Sequence, residues 1–132
     1  TRDGKIYLDP KPGVHALDAQ TGKIFWSKIN PNECGGIEFC DPGVSAALTA
    51  IPGAVIAGHL DGKIRVYDKE NGEVLWSFNA LKEFESVSGA PAKGGGFSGS
   101  GPVIRNGYLA INSGYGIYYH MPGNALLVFS TE

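Results

Sequence analysis

Fourteen residues near the start of the chain recur, without a gap, fifty positions later. Val14-His15-Ala16-Leu17-Asp18-Ala19-Gln20-Thr21-Gly22-Lys23-Ile24-Phe25-Trp26-Ser27 aligns on Ile64-Arg65-Val66-Tyr67-Asp68-Lys69-Glu70-Asn71-Gly72-Glu73-Val74-Leu75-Trp76-Ser77. Asp, Gly, Trp and Ser match identically and most apolar positions stay apolar. A second alignment, offset by fifty-four, lays Gly53-Ala54-Val55-Ile56-Ala57 on Gly107-Tyr108-Leu109-Ala110-Ile111, and Ser45 to Thr49 on Gly99 to Val103. A period of this length means a stacked or radial array, in which each unit buries its apolar faces only against its neighbours.

Within a unit the residues read as short strands separated by turns. Val14 to Asp18 alternates its side chains, Gln20-Thr21-Gly22 and Glu70-Asn71-Gly72 supply turns, and Asn71-Gly72 is a strong hairpin signal because both residues tolerate positive φ. β-branched and aromatic residues fill Lys63 to Tyr67 and Val74 to Phe78. The expected strands are 5–8, 14–18, 23–28, 45–49, 54–58, 63–68, 73–79, 101–104, 108–112 and 125–130, with Ala80 to Val87 as the one helix candidate. Four strands per ~50 residues, repeated, describe a β-propeller blade. The fold class is therefore all-β: antiparallel four-stranded blades, about two and a half of them. Residues 1–30 end one blade, 41–79 make a complete blade, and 97–132 begin a third. Closed propellers carry typically 4–8 blades, so the chain is expected to be a piece of a larger propeller, or to assemble with copies or partners that complete the ring.

Composition narrows the function classes. Eleven Lys plus Arg against thirteen Asp plus Glu give a net charge of −2, without the basic footprint of a nucleic-acid binder. Twenty glycines and eight prolines, spread along the chain, suit turns and disfavour helices. No apolar run approaches the ~18 residues of a transmembrane span. The opening Thr1-Arg2-Asp3-Gly4 has neither an initiator Met nor a signal-peptide core, which leaves a removed leader or a piece of something longer. Cys34 and Cys40 bracket a Gly-rich loop; they read as a local disulfide of an oxidising compartment or as two free thiols, and a zinc site lacks further ligands.

Ala16-Leu17-Asp18-Ala19-Gln20-Thr21-Gly22-Lys23-Ile24-Phe25-Trp26 resembles the Ala-x-Asp-x-x-x-Gly-x-x-x-Trp repeat of pyrroloquinoline quinone (PQQ) propellers, and its second copy keeps Asp68, Gly72 and Trp76 with Val66 for the Ala. In that family the Trp docks one blade on the next, a role suited to a large flat ring with one N–H. Ser45 to Gly53, Gly101-Pro102-Val103, Asn112 to Gly116 and Met121 to Ser130 are similar to the C-terminal part of the polyvinyl-alcohol dehydrogenase-like quinoproteins. The resemblance implies an eight-bladed propeller, alcohol oxidation with PQQ and calcium, a periplasmic or secreted location and a cytochrome electron acceptor. No Cys-x-x-Cys-His occurs, so haem is not expected in this chain. The alternative is a propeller that keeps the repeat but has lost PQQ and serves as a protein-binding scaffold, as the outer-membrane assembly lipoproteins of the superfamily do.

PQQ is a planar tricarboxylate and needs cations, hydrogen-bond donors and a flat apolar surface. Lys93, Gly96, Ser98 and Ser100, in the glycine-rich approach to the strand at 101, and Ser45 on the other inner strand, are the candidate cofactor contacts, against a plain linker between blades. Asp41 is a candidate calcium ligand or a turn-forming Asp before Pro42-Gly43. Asp18 and Asp68 recur with the repeat, which marks them as turn-bonding groups. Among the histidines, His120 stands in the aromatic run Tyr118-Tyr119-His120-Met121, either bordering a substrate cleft or packing on a neighbouring blade. No Gly-x-Ser-x-Gly elbow supports a hydrolase.

Overall fold

The computed structural model describes residues 12–116 and 118–130. Among these, every regular element is a β-strand: β1 (Gly13–Leu17), β2 (Ile24–Ile29), β3 (Thr49–Ile51), β4 (Ala54–Gly58), β5 (Lys63–Asp68), β6 (Val74–Asn79), β7 (Glu83–Glu85), β8 (Pro91–Lys93), β9 (Val103–Arg105), β10 (Tyr108–Ser113) and β11 (Ala125–Ser130). The expected strand at 5–8 lies outside the described residues. β1 pairs with β2, β3-β4-β5-β6 form a four-stranded antiparallel meander, β11-β10-β9 form a three-stranded one, and β7-β8 is a separate hairpin. The architecture is an all-β partial propeller.

The apolar cores lie between sheets, so both faces of the middle sheet are used. Ile56, Ile64 and Ala80 pack with Phe97, Ile111, Ala125 and Leu127 towards the third sheet. Ala57 and Tyr67, on the opposite face, pack with Val14 and Trp26 of the preceding unit and with Val44. Alternation along β4 and β5 produces this division, because successive strand residues point to opposite faces. Gly58 is small for a packing reason: a Cβ there would stand 2.5 Å from Cβ of the fully buried Phe97.

Repeat identity becomes repeat geometry. β1-β2 slips register between Ala16 and Leu17, and β5-β6 slips between Val66 and Tyr67, the equivalent place. Phe25 and Leu75 are the extra residues of these bulges. They remain 65% and 58% exposed, which lets Trp26 and Trp76 take the next inward position. Trp26 donates from Nε1 to the Lys69 carbonyl at 2.9 Å, and its ring covers Gly72. Trp76 meets Phe129 of the third sheet edge-on, with ring centroids 5.3 Å apart. The Asp of each repeat closes its turn: Asp18 Oδ1 accepts from the amides of Gln20 and Thr21, and Asp68 Oδ1 from those of Glu70 and Asn71. The Thr21 amide, then its hydroxyl, hold the exposed Asp18 carboxyl below the usual carboxylate range.

Three sequence expectations change. The strand expected at 45–49 begins only at Thr49, and the one at 101–104 at Val103. The segments leading into them bond to each other, Ala47 N–H to Gly99 O at 3.3 Å, instead of extending their own sheets. Ala80 to Val87 is not a helix: Glu83-Phe84-Glu85 pairs with Pro91-Ala92-Lys93. The alternation exposed, half-buried, exposed in both strands seats Phe84 and Ala92 on the core. A period of two won over a short helical run that has no apolar stripe of its own.

Substituting Gly72→Ala adds a Cβ 2.5 Å from the Trp26 ring at φ +74°. It should destabilise the intact protein by about 2–4 kcal/mol in urea titration. In a Trp26→Ala background the same change should cost only the left-handed backbone penalty of about 1–2 kcal/mol. Equal costs in the two backgrounds would mean that the ring does not constrain the glycine.

Candidate functional site

The two ends of the sheets differ. At one end the connections are tight: Pro52-Gly53 joins β3 to β4, Asn106-Gly107 joins β9 to β10, and the two Asp-x-x-x-Gly turns follow β1 and β5. At the other end lie the short 59–62 turn and, among the described residues, the long segments: 30–48, 80–102 including the hairpin, and the described part of 114–124. Asp41, Ser45, Lys93, Gly96, Ser98, Ser100 and His120 are all on these segments. Function-bearing groups concentrate on loops held by a rigid scaffold.

The glycine-rich stretch is built for close packing. Gly94 to Phe97 is buried. Gly94 N–H donates to Lys82 O, Gly95 N–H to Ser113 Oγ, Gly96 N–H to Met121 O and Phe97 N–H to His59 O. Ser113, itself completely buried, returns a hydrogen bond from Oγ to Gly95 O at 2.9 Å. The amide donors expected to face a ligand, Gly96 included, are thus engaged within the protein. Side chains carry what ligand chemistry the segment offers. Lys93 lines a pocket of about 280 Å³ with Glu38, Ile37, Leu81, Met121 and Pro122. Ser98 Oγ is buried without a hydrogen-bond partner, as is His120 Nδ1, and both flank Gly116. A Cβ at Gly116 would lie 3.0 Å from Ser98 Oγ and 2.8 Å from His120 Cβ. Ser45 and Ser100 are exposed, on the two approach segments that the Ala47–Gly99 bond holds side by side.

Asp41 forms the turn that its Pro-Gly neighbours suggest, with Oδ1 accepting from Gly43 N–H at 2.6 Å. Among the described residues no three His, Cys, Asp or Glu side chains come together as a metal site. Cys34 and Cys40 are bonded to each other, with Cα atoms 5.7 Å apart. The loop they close is tied to β5 by the Lys63–Glu33 ion pair. Phe39 of that loop meets Tyr119 at a ring-centroid distance of 5.8 Å. Phe39, Tyr118 and Tyr119 all have positive φ, 62°, 63° and 52°. That conformation costs an L-residue on the order of 1–2 kcal/mol, so the surroundings must hold these rings outward.

A closed polar ring beneath the loops had no sequence signal. Asn30 Nδ2 donates to Pro42 O and, with its other hydrogen, to His59 Nδ1, each at 2.8 Å. His59 must then carry its proton on Nε2 and give it to Tyr67 Oη at 2.9 Å, and Tyr67 O–H donates to Asn30 Oδ1 at 3.2 Å. Every donor has an acceptor, provided that His59 is neutral. Burial, reinforced by the positive charge of Arg65, pushes His59 down to about 4, and burial pushes Tyr67 up to about 12. Arg65 is itself neutralised by a buried two-point ion pair with Asp61 at 2.6 and 3.2 Å. Tyr67 falls within the repeat, opposite Leu17, but Asn30 and His59 carry no motif, so only folding brings the three together.

A family model described as outer membrane protein assembly factor BamB matches residues 2–96. Over 92% of its length the chain is 39% identical to a polyvinylalcohol dehydrogenase of a Pseudomonas species, covering 21% of that protein. It is 35% identical over 86% of its length to a polyvinylalcohol dehydrogenase of Sphingopyxis sp. strain 113P3, covering 20% of it. A 1-butanol dehydrogenase (cytochrome c) of Thauera butanivorans is 34% identical over 67% of this chain and 14% of its own length. The chain spans about a fifth of the length of the first two relatives. Among solved structures, BamB from Moraxella catarrhalis superposes with a TM-score of 0.58 at 18% identity, over 91% of this chain and 28% of that one, a likeness of fold.

Two outcomes test the loop end. In the unfolded chain His59 takes up its proton below pH 6.5, in the folded one only below about 4. Stability is therefore full above pH 6.5 and falls as pH drops through that window, by about 3 kcal/mol. Urea midpoints at pH 7.5 and 4.0 should show this slope, and His59→Gln should flatten it. Replacing both Cys34 and Cys40 by Ser should lower stability by about 2 kcal/mol, the loop-closure value for so short a ring, while leaving the β1–β2 pairing intact by hydrogen exchange.

Proposed function

The chain belongs to the PQQ-type β-propeller family and is polyvinyl-alcohol-dehydrogenase-like, and on that premise we propose that it forms part of a quinoprotein that oxidises alcohols. The observation that carries this reading is the 39% identity to a polyvinylalcohol dehydrogenase along nearly the whole chain. Other blades, from the same polypeptide or from partner chains, complete the ring. The location that suits this reading is the periplasm or the extracellular space, in keeping with the Cys34–Cys40 bond. A cytochrome is the fitting electron acceptor, by analogy with the relative from Thauera butanivorans.

The side chains of the loop end fit a planar polycarboxylate. Lys93 supplies a cation in a pocket whose other side chains are Glu38 and the apolar Ile37, Leu81, Met121 and Pro122, and the unpartnered Ser98 Oγ supplies a buried hydroxyl donor. Ser100 and Ser45 add exposed hydroxyls on adjacent segments. When bound, PQQ supplies the hydride-accepting chemistry; the protein binds and orients it and keeps water from the reacting carbon. Calcium, if used, would draw its other ligands from parts of the protein outside this chain, with at most the free Asp41 oxygen contributed here.

A second reading is a scaffold propeller without PQQ, favoured by the match to the assembly-factor family model. Calorimetric titration of the intact protein with PQQ, with and without calcium, separates the two. Micromolar or tighter binding, with a rise in unfolding temperature that grows with ligand, followed by dye reduction with a secondary alcohol, supports the dehydrogenase. Absence of binding by an intact ring leaves the scaffold. If Lys93 pairs with a cofactor carboxylate, Lys93→Ala should raise the Kd for PQQ about tenfold, the worth of a charge-assisted hydrogen bond.

A further inference from the structure

The turn end of the sheets holds two copies of one reactive dipeptide in opposite surroundings. Asn71-Gly72 lies in the turn after β5, and Asn106-Gly107 joins β9 to β10. In an Asn-Gly pair the glycine nitrogen can attack the asparagine side-chain amide, because glycine has no Cβ to block the approach. The attack needs that nitrogen unbonded and the side chain free to fold back onto it.

In the first copy neither condition holds. Gly72 N–H donates to Asp68 O at 2.9 Å. Asn71 Oδ1 accepts from Glu73 N–H at 2.8 Å, which ties the side chain beyond its own glycine, and Asn71 N–H donates to Asp68 Oδ1 at 3.2 Å. Gly72 is also buried, with the Trp26 ring only 2.5 Å from where a Cβ would stand. The second copy is open. Asn106 and Gly107 are both exposed, and among the described residues neither the Asn106 side chain nor the Gly107 N–H has a hydrogen-bond partner. Their φ angles of +50° and +79° make the two-residue turn across which Arg105 pairs with Tyr108.

We propose that Asn106 is a site of spontaneous deamidation and isoaspartate formation, and that the bonded turn beneath Trp26 spares Asn71 the same reaction. The Gly107 nitrogen loses its proton to hydroxide and bonds to Asn106 Cγ. The Cγ–Nδ2 bond breaks, and the amide nitrogen leaves as ammonia with a proton from water. Water then opens the five-membered imide at either carbonyl, giving aspartate or isoaspartate; nothing is oxidised or reduced. Both products carry a new negative charge, and isoaspartate also adds a methylene to the main chain of a two-residue turn. Tyr108, the next residue, lines a cavity of about 320 Å³ with Trp76, Ile104 and Phe129. Modification of Asn106 therefore loosens the third sheet on the second. The reaction needs no cofactor, so the proposal is independent of the dehydrogenase reading.

The test incubates the intact protein at mildly alkaline pH, folded and in concentrated urea, and follows both sites by mass-spectrometric peptide mapping. In urea the two asparagines should react at similar rates, since each is followed by glycine. In the folded protein Asn106 should react about tenfold faster than Asn71, the worth of the backbone hydrogen bond that must open first at Gly72. A folded ratio no larger than the ratio in urea would overturn the proposal. So would a folded protein in which neither site reacts while both do in urea. Isoaspartate is counted separately, by transfer of a labelled methyl group from S-adenosylmethionine by an isoaspartyl methyltransferase. Asn106→Gln, which can close only a slower six-membered ring, should remove most of the methyl acceptance of the aged folded protein. Acceptance that stays at the wild-type level overturns the assignment to Asn106.

Discussion

The indole of Trp26 lies on Gly72 and bonds through Nε1 to the Lys69 carbonyl. That contact fixes how far one sheet can stand from the next, because a ring seated on a bare α-carbon leaves no room for adjustment. The rest of the interface follows from the spacing. Val14, Ala57 and Tyr67 close one layer, and on the other face Trp76 repeats the move against Phe129, next to Ile56, Ile64 and Phe97. The bulges at Phe25 and Leu75 serve the same geometry, since each turns its following Trp towards the neighbouring sheet. Small residues at Gly58 and Gly72 are thus set by what approaches them, and only Gly72 also needs its positive φ.

Sheets spaced in this way leave two unlike ends. The turn end is made of short repeats whose Asp carboxylates satisfy backbone amides, and it carries little chemistry. The loop end collects the disulfide loop, the buried glycine segment, the hairpin and the aromatic run. Its interior is unusually polar for so small a unit: the Asn30–His59–Tyr67 ring, the Arg65–Asp61 pair and Ser113 are all buried. Each has hydrogen-bond or ion-pair partners within the protein, which is the condition under which polar groups can be buried without great loss. Such a floor gives the loops above it one arrangement, and that rigidity is what a cofactor or substrate site requires.

Much of this was legible in the residues. The fifty-residue self-match exposed the blades, and Asp18, Asp68, Gly22 and Gly72 announced turns, because their spacing encodes local hydrogen bonding. The resemblance to PQQ propellers rested on the same positions. Legibility stopped where contacts are long-range. The helix expected at Ala80 to Val87 is a hairpin because Phe84 and Ala92 find the core of two other sheets. The inner strands start late because their approach segments bond across to each other. Gly96 belongs to a stretch that looked like a ligand cradle, yet its amide is taken by Met121, a residue a quarter-hundred positions away in the chain.

The sequence by itself therefore determined the period, the strand content, the turn chemistry and the family, all of which are written in short-range patterns that survive from one unit to the next. Only the tertiary structure decided which polar groups find partners within the protein and which do not. Asn30, His59 and Tyr67 close a ring, Gly94 to Phe97 spend their amides on the interior, and Ser98 and His120 are left without partners. The reason is physical: a hydrogen bond is satisfied by whatever atom folding brings within about 3 Å, and that distance is set by sheets packing on sheets, not by neighbours in the chain.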